Sequence, residues 1–296
     1  MSILITGASG FIGRDLVKIL SKKYKILAFY RSKNYKKTKN VTWLKNDLSI
    51  KKKLKLPYSN ITCIINCAID QKYKKINFIK YKKTNINLIN NLLNYTNENK
   101  VKFFLNLSSI DVYGEVNKSI LTESYKPKKP NSYGKLKRYC EKKIEKGKIN
   151  YINLRLPGVL CNPYLNKFKR TWLNYIFENL INEKKIKIFN KNNNFNNLTT
   201  TNEIARFVVF LIQKNISTKG TYNFSCVEPI KIKDLINTSK KIINSNSKVI
   251  IEKKNKKNSF EISNTKLQKK LKFFTKPTKI ILKNYLRNLI KDKYDT

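Results

Sequence analysis

Tyr133 and Lys137 have the residue types and the spacing of an acid/base pair. They stand four positions apart in a segment that favours a helix, so their side chains share one helix face. A phenol with an unperturbed pKa near ~10 carries protons poorly at neutral pH, but an adjacent ammonium favours the phenolate and lowers that pKa. In a chain with 17 tyrosines this spacing alone is close to chance, so the interpretation depends on the surrounding elements.

Three of the eight glycines fall within seven residues, at Gly7, Gly10 and Gly13. They follow an apolar strand at 2–6 and open an amphipathic helix at 11–22. Such a turn lets the backbone approach a pyrophosphate, and the helix directs its positive N-terminal end at the anion. This context favours a dinucleotide site over a purely structural turn. The predicted contacts are Gly7, Gly10, Phe11, Ile12 and Gly13.

Strands and helices alternate through the first half of the chain and predict an α/β fold with a doubly wound parallel sheet of the Rossmann type. The cofactor belongs at the carboxyl ends of the strands. We expect a dinucleotide-binding domain at 1–160 plus about 198–214, and a small α/β substrate lobe at about 161–197 and 215–296. The predicted strands are 2–6, 24–29, 41–44, 61–66, 101–107 and 149–155, and the predicted helices are 11–22, 71–98 and 131–147.

The chain of 296 residues carries 64 basic and 18 acidic residues, a net charge of +46. Such a charge ordinarily suggests nucleic acid or an anionic membrane. Only seven of the basic residues are arginine, the side chain best suited to phosphate and base recognition, and the lysines are scattered. We therefore expect no nucleic-acid partner. The abundance of Lys, Asn and Ile is typical of an A/T-rich genome.

Cysteine and histidine usage narrows the chemistry further. Five cysteines form no disulfide framework, which predicts a reducing, cytoplasmic compartment. The chain has no histidine, so the usual catalytic triads and zinc sites are excluded and no metal is expected. No apolar run approaches ~18 residues, so no membrane association is expected. The first strand begins at once, which predicts no signal peptide.

The chain resembles the extended short-chain dehydrogenases/reductases of the NAD-dependent epimerase/dehydratase family over nearly its whole length. The glycine turn, Ser109, Tyr133 and Lys137 occur in the family's order. Further matches follow the successive strands, at Asn46–Leu48, Asn66–Ile69, Thr84–Asn87, Ser108–Gly114, Leu154–Val159, Tyr222–Pro229 and Phe260–Lys266. Family members act on nucleotide-linked sugars and often form homodimers, so we expect both here.

The resemblance assigns roles to the central residues. Ser109 would hydrogen-bond the reacting sugar oxygen, and Tyr133 would exchange a proton with it while hydride passes to or from the nicotinamide. Lys137 would hold the nicotinamide ribose and tune Tyr133. The substrate-binding set implied is Ser108, Ser109, Asp111 and Tyr133. A strand-end cap is the simpler alternative for Ser109.

Arg31 distinguishes between the possible cofactors. NAD-specific members carry an acid at the end of the second strand, whereas this chain has Arg31, which can pair with a 2′-phosphate. NADP(H) is therefore favoured, with NAD possible and a solvated surface cation as the alternative for Arg31. The resemblance implies further cofactor contacts at Asp47, Leu48, Cys67, Ala68, Ile69, Asn85, Tyr133, Lys137 and Pro157.

Two departures from the family bear on the reaction. Asp111 stands where sugar 4,6-dehydratases carry a glutamate, and Ile110 where many of them carry a general acid, so elimination is disfavoured. The family's Arg-Asp-Phe/Tyr segment is replaced by 196–203. The asparagine-rich run 190–197 reads most simply as a solvated loop.

These observations predict an NAD(P)-dependent oxidoreductase of nucleotide-activated sugars. The sequence favours a 4-keto-sugar reductase with exchangeable NADPH, and a 4-epimerase with bound NAD is the close alternative. An alternative of another class is a non-catalytic Rossmann protein that binds a dinucleotide or associates with nucleic acid. The intact Ser109, Tyr133 and Lys137 argue against it.

Overall fold

The computed structural model describes residues 1–31, 38–57, 60–69, 77–162, 171–252 and 259–294. The chain forms two compact units. The first comprises Met1–Glu115, Lys126–Arg155 and Ala205–Tyr222; the second comprises Val116–Tyr125, Leu156–Ile204 and Asn223–Thr296.

The helices and strands are, in chain order, β1 (Ser2–Thr6), α1 (Phe11–Leu20), β2 (Lys25–Tyr30), β3 (Val41–Lys45), β4 (Ile61–Asn66), α2 (Phe78–Glu98), β5 (Phe103–Ser109), a 3₁₀ turn (Ile110–Tyr113), β6 (Ile120–Leu121), α3 (Ser132–Glu145), β7 (Tyr151–Leu156), β8 (Gly158–Leu160), α4 (Trp172–Ile181), β9 (Ile186–Phe189), β10 (Asn194–Phe195), β11 (Leu198–Thr200), α5 (Thr201–Gln213), β12 (Lys219–Asn223), β13 (Ile230–Lys231), α6 (Ile232–Ile243), β14 (Val249–Glu252), β15 (Glu261–Ile262), α7 (Thr265–Leu271) and α8 (Thr278–Tyr294).

A seven-stranded sheet forms the centre of the first unit, in the order β12-β7-β5-β4-β1-β2-β3. Strands β3, β2, β1, β4 and β5 pair in parallel with their neighbours. The chain builds outward from β1 through β2 and β3, then returns to β4 on the other side, so the strand order reverses between β1 and β4. A crevice at such a reversal, outside the carboxyl ends of the strands, is where ligands bind in open α/β sheets. The predicted fold class is confirmed.

One face of this sheet is covered by α2 and α3, which pack against each other. Leu4, Ile64 and Phe104 lie in register across three strands on that face and form one apolar cluster with Leu92 of α2 and Leu136 of α3. Near the carboxyl ends of the same strands the cluster gives way to polar side chains. The apolar core therefore ends shortly below the edge where the sequence places the chemistry.

A row of hydrogen-bonded polar side chains crosses the sheet at that level, on the α2/α3 face. The Thr6 hydroxyl donates to Asn66 (2.7 Å), the Asn66 amide to Asn106 (3.0 Å), and the Asn106 amide to Asn153 (2.9 Å). The Asn153 amide in turn donates to Thr221 (3.2 Å). The four inner residues of β1, β4, β5 and β7 are at most 2% exposed, so these bonds replace those that water would otherwise supply. We call these five side chains the polar row.

The second unit is built from two-stranded pairs: β8 with β11, β9 with β14, β6 with β15 in parallel, and β10 with β13 antiparallel. Helices α4, α6 and α8 supply its core, with Ile176, Leu235 and Leu282 fully buried.

The expectation of a solvated loop at 190–197 is wrong in its second half. Asn194–Phe195 form β10, and Asn196 is 3% exposed. The Asn196 amide donates to the carbonyls of Cys226 and Ile262 and accepts from the Ile262 N–H. These bonds hold three chain segments of the second unit together, which polar composition alone does not indicate.

Most predicted elements of the main sheet are present to within two residues at each end. Helix α2 is seen from Phe78, whereas its predicted start at 71 lies outside the described residues. The short strands β6, β8, β10, β11, β13 and β15 were not predicted. Within the described ranges, no helix is both long and apolar enough to cross a membrane.

The polar row makes a prediction about stability. Asn106→Ala removes two buried bonds and leaves the Asn66 amide and the Asn153 carbonyl without their partner. We expect a loss of roughly 2–4 kcal/mol in the free energy of unfolding, measured by chemical denaturation, because each orphaned buried group costs about 1–3 kcal/mol. Asn288→Ala, at an exposed position of α8, is the control and should change little. A loss for Asn106→Ala no larger than for the control would contradict the role of the row.

Candidate active site

The glycine turn lies at the reversal point of the sheet. Gly7 has a φ of +62°, a left-handed conformation that favours glycine, and a Cβ there would come within 2.8 Å of the Ala68 backbone. Gly13 lies so close to the Gly7 carbonyl that a Cβ would overlap it. The end of β1 is thus pressed against the segment after β4 and against the start of α1. Gly7 and Gly13 are needed for the fold itself.

Gly10 differs from these two glycines. It is exposed, its φ of −81° suits any residue, and a Cβ there would meet only the Gly7 carbonyl oxygen, at 3.0 Å. It forms the N-cap of α1 without a side-chain cap, and the first turn of α1 carries no acidic residue. A helix start without a capping side chain or a negative charge suits an anionic group. These features fit the pyrophosphate of a dinucleotide.

The end of β5 carries the predicted serines. Ser109 is half-buried, and its hydroxyl accepts a hydrogen bond from the Asp111 N–H (3.1 Å) as the cap of the 3₁₀ turn. The cap and the predicted catalytic role therefore concern one hydroxyl, which can still donate to another oxygen. Ser108 is 3% exposed, and its hydroxyl donates to Glu141 (2.7 Å). The assignment of Ser108 as a substrate contact stays a prediction.

Helix α3 begins directly beside this turn. Its N-cap Asn131 accepts from the Gly134 N–H (2.8 Å), and a Cβ on Gly134 would overlap the Asp111 carbonyl oxygen. Glycine at this position lets α3 approach the 3₁₀ turn at backbone distance. Tyr133, the preceding residue, is thereby held next to the segment that carries Ser109.

Tyr133 and Lys137 share one face of α3, as predicted from their spacing. The Lys137 Nζ atom lies 5.8 Å from the centre of the Tyr133 ring and donates to the Leu107 carbonyl (2.7 Å). Tyr133 is half-buried, whereas Lys137 is 5% exposed. A buried ammonium fixed beside an accessible phenol can stabilise the phenolate.

Burial lowers the pKa of Lys137, and Cys140, Cys67 and Glu141 act in the opposite direction. Burial raises the pKa of Cys67 to about 12 and that of Cys140 to about 11. Both thiols are therefore protonated at neutral pH, and neither is activated as a nucleophile. All five cysteines are free.

Asp111 lies in the 3₁₀ turn that follows β5 and is exposed. Partial desolvation raises the pKa of its carboxyl, and the Ser109 hydroxyl acts in the opposite direction.

A buried ion cluster below the site was missed by the sequence analysis. Glu141, 0% exposed, accepts two bonds from Arg155 of β7 (2.9 and 2.8 Å) and one from Arg138 (2.9 Å), besides the bond from Ser108. The Arg155 guanidinium lies over the Tyr113 ring at 4.7 Å. Burial alone would raise the pKa of Glu141, but Arg155, Ser108 and Arg138 more than offset it, so the pKa is lowered. The spacing Tyr133, Lys137, Glu141 at four-residue steps could have indicated it.

The residues that are predicted to bind the adenosine part of the cofactor lie after β2 and β3. Arg31 is exposed at the end of β2. Asp47 accepts from the backbone and the hydroxyl of Ser49 (2.9 and 2.6 Å), and these bonds, aided by the charge of Arg31, lower the pKa of Asp47. Leu48 is buried.

The remaining predicted residues occupy several places. Ala68 and Ile69 follow β4, and the Ala68 N–H bonds the Thr6 hydroxyl (3.4 Å). Asn85 is buried in α2, where its amide donates to the Tyr81 carbonyl. Pro157 is buried in the second unit. In the described parts of the chain, no three His, Cys, Asp or Glu side chains are grouped to hold a metal ion.

Substitutions at Gly10 and Gly13 should distinguish an effect on dinucleotide binding from an effect on folding. Gly10→Val should fold but lose dinucleotide affinity, because its branched side chain fills the space in front of the α1 N-terminus. Calorimetric titration with NADH and NADPH measures the affinity, and Gly10→Ala should give a smaller loss. Gly13→Ala should instead unfold the protein, since its Cβ overlaps the Gly7 carbonyl. Unchanged affinity in folded Gly10→Val would make the turn purely structural.

Comparisons with known proteins give the family. The sequence matches the model of the NAD dependent epimerase/dehydratase family over residues 3–225. No curated protein sequence matches the chain.

Solved structures match the fold across nearly the whole chain. UDP-glucose 4-epimerase from Thermotoga maritima, with UDP-glucose, has 18% identity and a TM-score of 0.77, covering 99% of this chain and 100% of its own. UDP-N-acetylglucosamine 4-epimerase from Bacillus cereus has 16% identity and a TM-score of 0.76, covering 98% and 99%. Bordetella bronchiseptica WbmG, in complex with NAD and UDP, has 16% identity and a TM-score of 0.78, covering 99% and 95%. By its match to the family model over most of its length, this chain belongs to the NAD-dependent epimerase/dehydratase family.

Proposed function

We propose that this protein interconverts the hydroxyl and the ketone at C4 of a nucleotide-activated sugar. One observation carries the proposal: Lys137, buried and fixed to the Leu107 carbonyl, holds its ammonium 5.8 Å from the ring of the accessible Tyr133. This pair lies on the helix that meets the carboxyl end of β5, in the same unit as the glycine turn. A phenol, an ammonium and a phosphate-binding turn together suit proton exchange at a substrate oxygen.

The residues divide the work as follows. The start of α1 at Gly10 binds the pyrophosphate of the cofactor through backbone groups. The Ser109 hydroxyl hydrogen-bonds the sugar O4 and orients it. Tyr133 begins as the phenolate, which Lys137 stabilises, and takes the proton from O4 during oxidation. The neutral phenol formed in that step returns the proton during reduction and becomes the phenolate again. The nicotinamide dinucleotide, when bound, supplies the hydride acceptor and donor.

We favour a 4-epimerase as the specific reaction. In that reaction the same Tyr133 returns the proton after the sugar has turned its other face, so no second acid is needed. The support for this choice comes from the fold neighbours, whose names include UDP-glucose and UDP-N-acetylglucosamine 4-epimerases. The second candidate is the 4-keto-sugar reductase with exchangeable NADPH, which the exposed Arg31 at the end of β2 favours.

The roles of the two domains, the oligomeric state and the cellular compartment are also proposals. We propose that the domain at 1–160 plus about 198–214 binds the cofactor and that the lobe at about 161–197 and 215–296 contributes to sugar binding. We also propose that the protein works as a homodimer in the cytoplasm, in agreement with its five free cysteines.

Mass spectrometry of small molecules released from the purified protein tests the proposal most directly. Tightly held NAD and conversion of UDP-glucose to its C4 epimer would support the epimerase. A protein that is purified empty and oxidises NADPH with a 4-keto sugar nucleotide would support the reductase. A folded protein that binds no dinucleotide would refute both.

Tyr133→Phe tests the proton carrier. It deletes one hydroxyl and little volume, so the fold and the cofactor affinity should persist while kcat falls on the order of 10²–10⁴-fold, the usual contribution of an acid/base group. Tyr139→Phe, on the exposed face of the same helix, is the matched control and should leave kcat near that of the wild type. Activity of Tyr133→Phe within a few-fold of wild type would remove Tyr133 from the mechanism.

Arg31→Ala tests the cofactor preference. If Arg31 pairs with a 2′-phosphate, NADPH affinity should fall by roughly 1.5–3 kcal/mol, as expected for a charge-assisted hydrogen bond, while NADH affinity changes little. Lys25→Ala, an exposed cation at the opposite end of β2, is the control. Lys33, Lys36 and Lys37, which could partly substitute for Arg31, lie outside the described residues. Equal losses for both cofactors, or none, would contradict the NADPH preference.

A further inference from the structure

We propose that Glu141 is a positioning residue for the catalytic pair: its buried carboxylate fixes the end of β5 against α3 and balances the charge of Lys137. The proposal rests on the role of Tyr133 and Lys137 proposed above. Glu141 itself lies below the reacting groups, two helical turns from Tyr133, and acts through Lys137 and Ser108.

The first part of the argument is geometric. Tyr133, Lys137 and Glu141 follow each other at four-residue steps on one face of α3. Two of them bond successive residues of β5: the Lys137 Nζ donates to the Leu107 carbonyl (2.7 Å), and Glu141 accepts from the Ser108 hydroxyl (2.7 Å). The two bonds set the register between helix and strand. The next residue of the strand is Ser109, and the preceding turn of the helix carries Tyr133.

The second part concerns what holds Glu141 in place. Arg155 of β7 binds its carboxylate with two parallel bonds, the geometry in which an arginine fixes both position and orientation. Arg138 adds a third cationic bond and also reaches Glu145 (3.2 Å). With Ser108, the carboxylate accepts four hydrogen bonds and is fully buried. A charge so held does not move to follow a ligand, and this rigidity is required of a supporting residue.

The third part is electrostatic. Lys137 is surrounded by Tyr133, Cys140 and Glu141 of its own helix and by Cys67 after β4. Both thiols are neutral at working pH, because their pKa values are raised to about 12 and about 11. Glu141 is therefore the negative charge among these neighbours of Lys137.

The surroundings of Glu141 are also defined. Arg155 and Arg138 are its cations, Ser108 is a neutral donor, and Cys140 and Tyr151 are neutral groups within its electrostatic reach. Removing the carboxylate leaves Arg155 and Lys137 as buried cations without this counter-charge, and Lys137 lies beside Tyr133. Removing Arg155 leaves the carboxylate with a weaker counter-charge. The two changes thus predict shifts of opposite sign in the pKa of the Tyr133 phenol.

The experiment measures the pKa of Tyr133 by NMR of protein with isotopically labelled tyrosine, the resonance being identified by its loss in Tyr133→Phe. Glu141→Gln should lower this pKa by roughly 0.5 to 1, because a negative charge near the phenolate is gone. Arg155→Gln should raise it by a similar amount. The double variant, which leaves neither charge, should return it close to that of the wild type.

Two controls separate this effect from simple destabilisation. Glu145→Gln makes the same chemical change one turn further from Lys137 and should shift the Tyr133 pKa less than Glu141→Gln. A folded state is verified by circular dichroism, because breaking a buried ion pair is strongly destabilising. If Glu141→Gln does not fold, Arg138→Gln carries the test, since Arg138 is partly exposed; it should raise the pKa of Tyr133.

Ser108→Ala isolates the contact with β5, because it keeps every charge. The pKa of Tyr133 should stay unchanged while kcat on UDP-glucose falls on the order of 10-fold or more at an unchanged KM, as expected when a reacting group is misplaced. A raised KM at constant kcat would instead indicate that Ser108 contacts the substrate. It would refute the proposal that the bond between Ser108 and Glu141 positions the reacting groups.

The pKa measurements need no substrate, so they stand apart from the proposed reaction. A wild-type protein inactive on every sugar nucleotide would refute the proposed function and leave the electrostatic test intact. Shifts of the same sign in Glu141→Gln and Arg155→Gln, or none in either, would overturn the role of Glu141. So would an equal shift in Glu145→Gln.

Discussion

Each buried side chain of the polar row, near the carboxyl ends of the strands, needs a hydrogen-bond partner, and the arrangement of the candidate site depends on this constraint. The strands carry apolar side chains along most of the α2/α3 face and then change to Thr6, Asn66, Asn106 and Asn153 just before the strands end. Away from water each unpaired amide would cost about 1–3 kcal/mol, so the four side chains have to align across the sheet. This alignment fixes the register of β1, β4, β5 and β7 relative to one another. The strand register in turn determines the positions of the glycine turn after β1 and of the serines at the end of β5.

The same logic continues into α3. Glu141 and Lys137 bond Ser108 and Leu107 near the end of β5, so the helix cannot slide along the strand without breaking a buried charge-assisted hydrogen bond. Gly134 then allows the first turn of the helix to touch the 3₁₀ turn. Strand register, ion pairs and one glycine thus hold the half-buried Tyr133 next to the segment that carries the half-buried Ser109.

The fold was predictable because its main elements have strong local patterns. The glycine turn, the apolar strands of the main sheet and the i, i+4 spacing of Tyr133 and Lys137 are features of neighbouring residues in the chain. The polar row, the pairing of Glu141 with Arg155 and the burial of Asn196 join residues 14 to 68 positions apart, and composition carries no trace of such contacts. Asn196 shows the difficulty best. It stands in a run of asparagines that resembles a loop, yet its amide holds three segments together.

The bonds of the polar row also have a common direction. Thr221 donates onward to Glu145 (3.2 Å), and an ionised carboxylate can only accept. Thr221 must therefore accept from the Asn153 amide, which forces Asn106 to donate to Asn153, Asn66 to donate to Asn106, and Thr6 to donate to Asn66. A single anion at one edge of the sheet thus dictates the orientation of three amides and leaves the lone pairs of the Thr6 hydroxyl to receive the Ala68 N–H (3.4 Å) beside the glycine turn. The polarity of the whole row is thus set from the edge of the sheet by the Glu145 carboxylate.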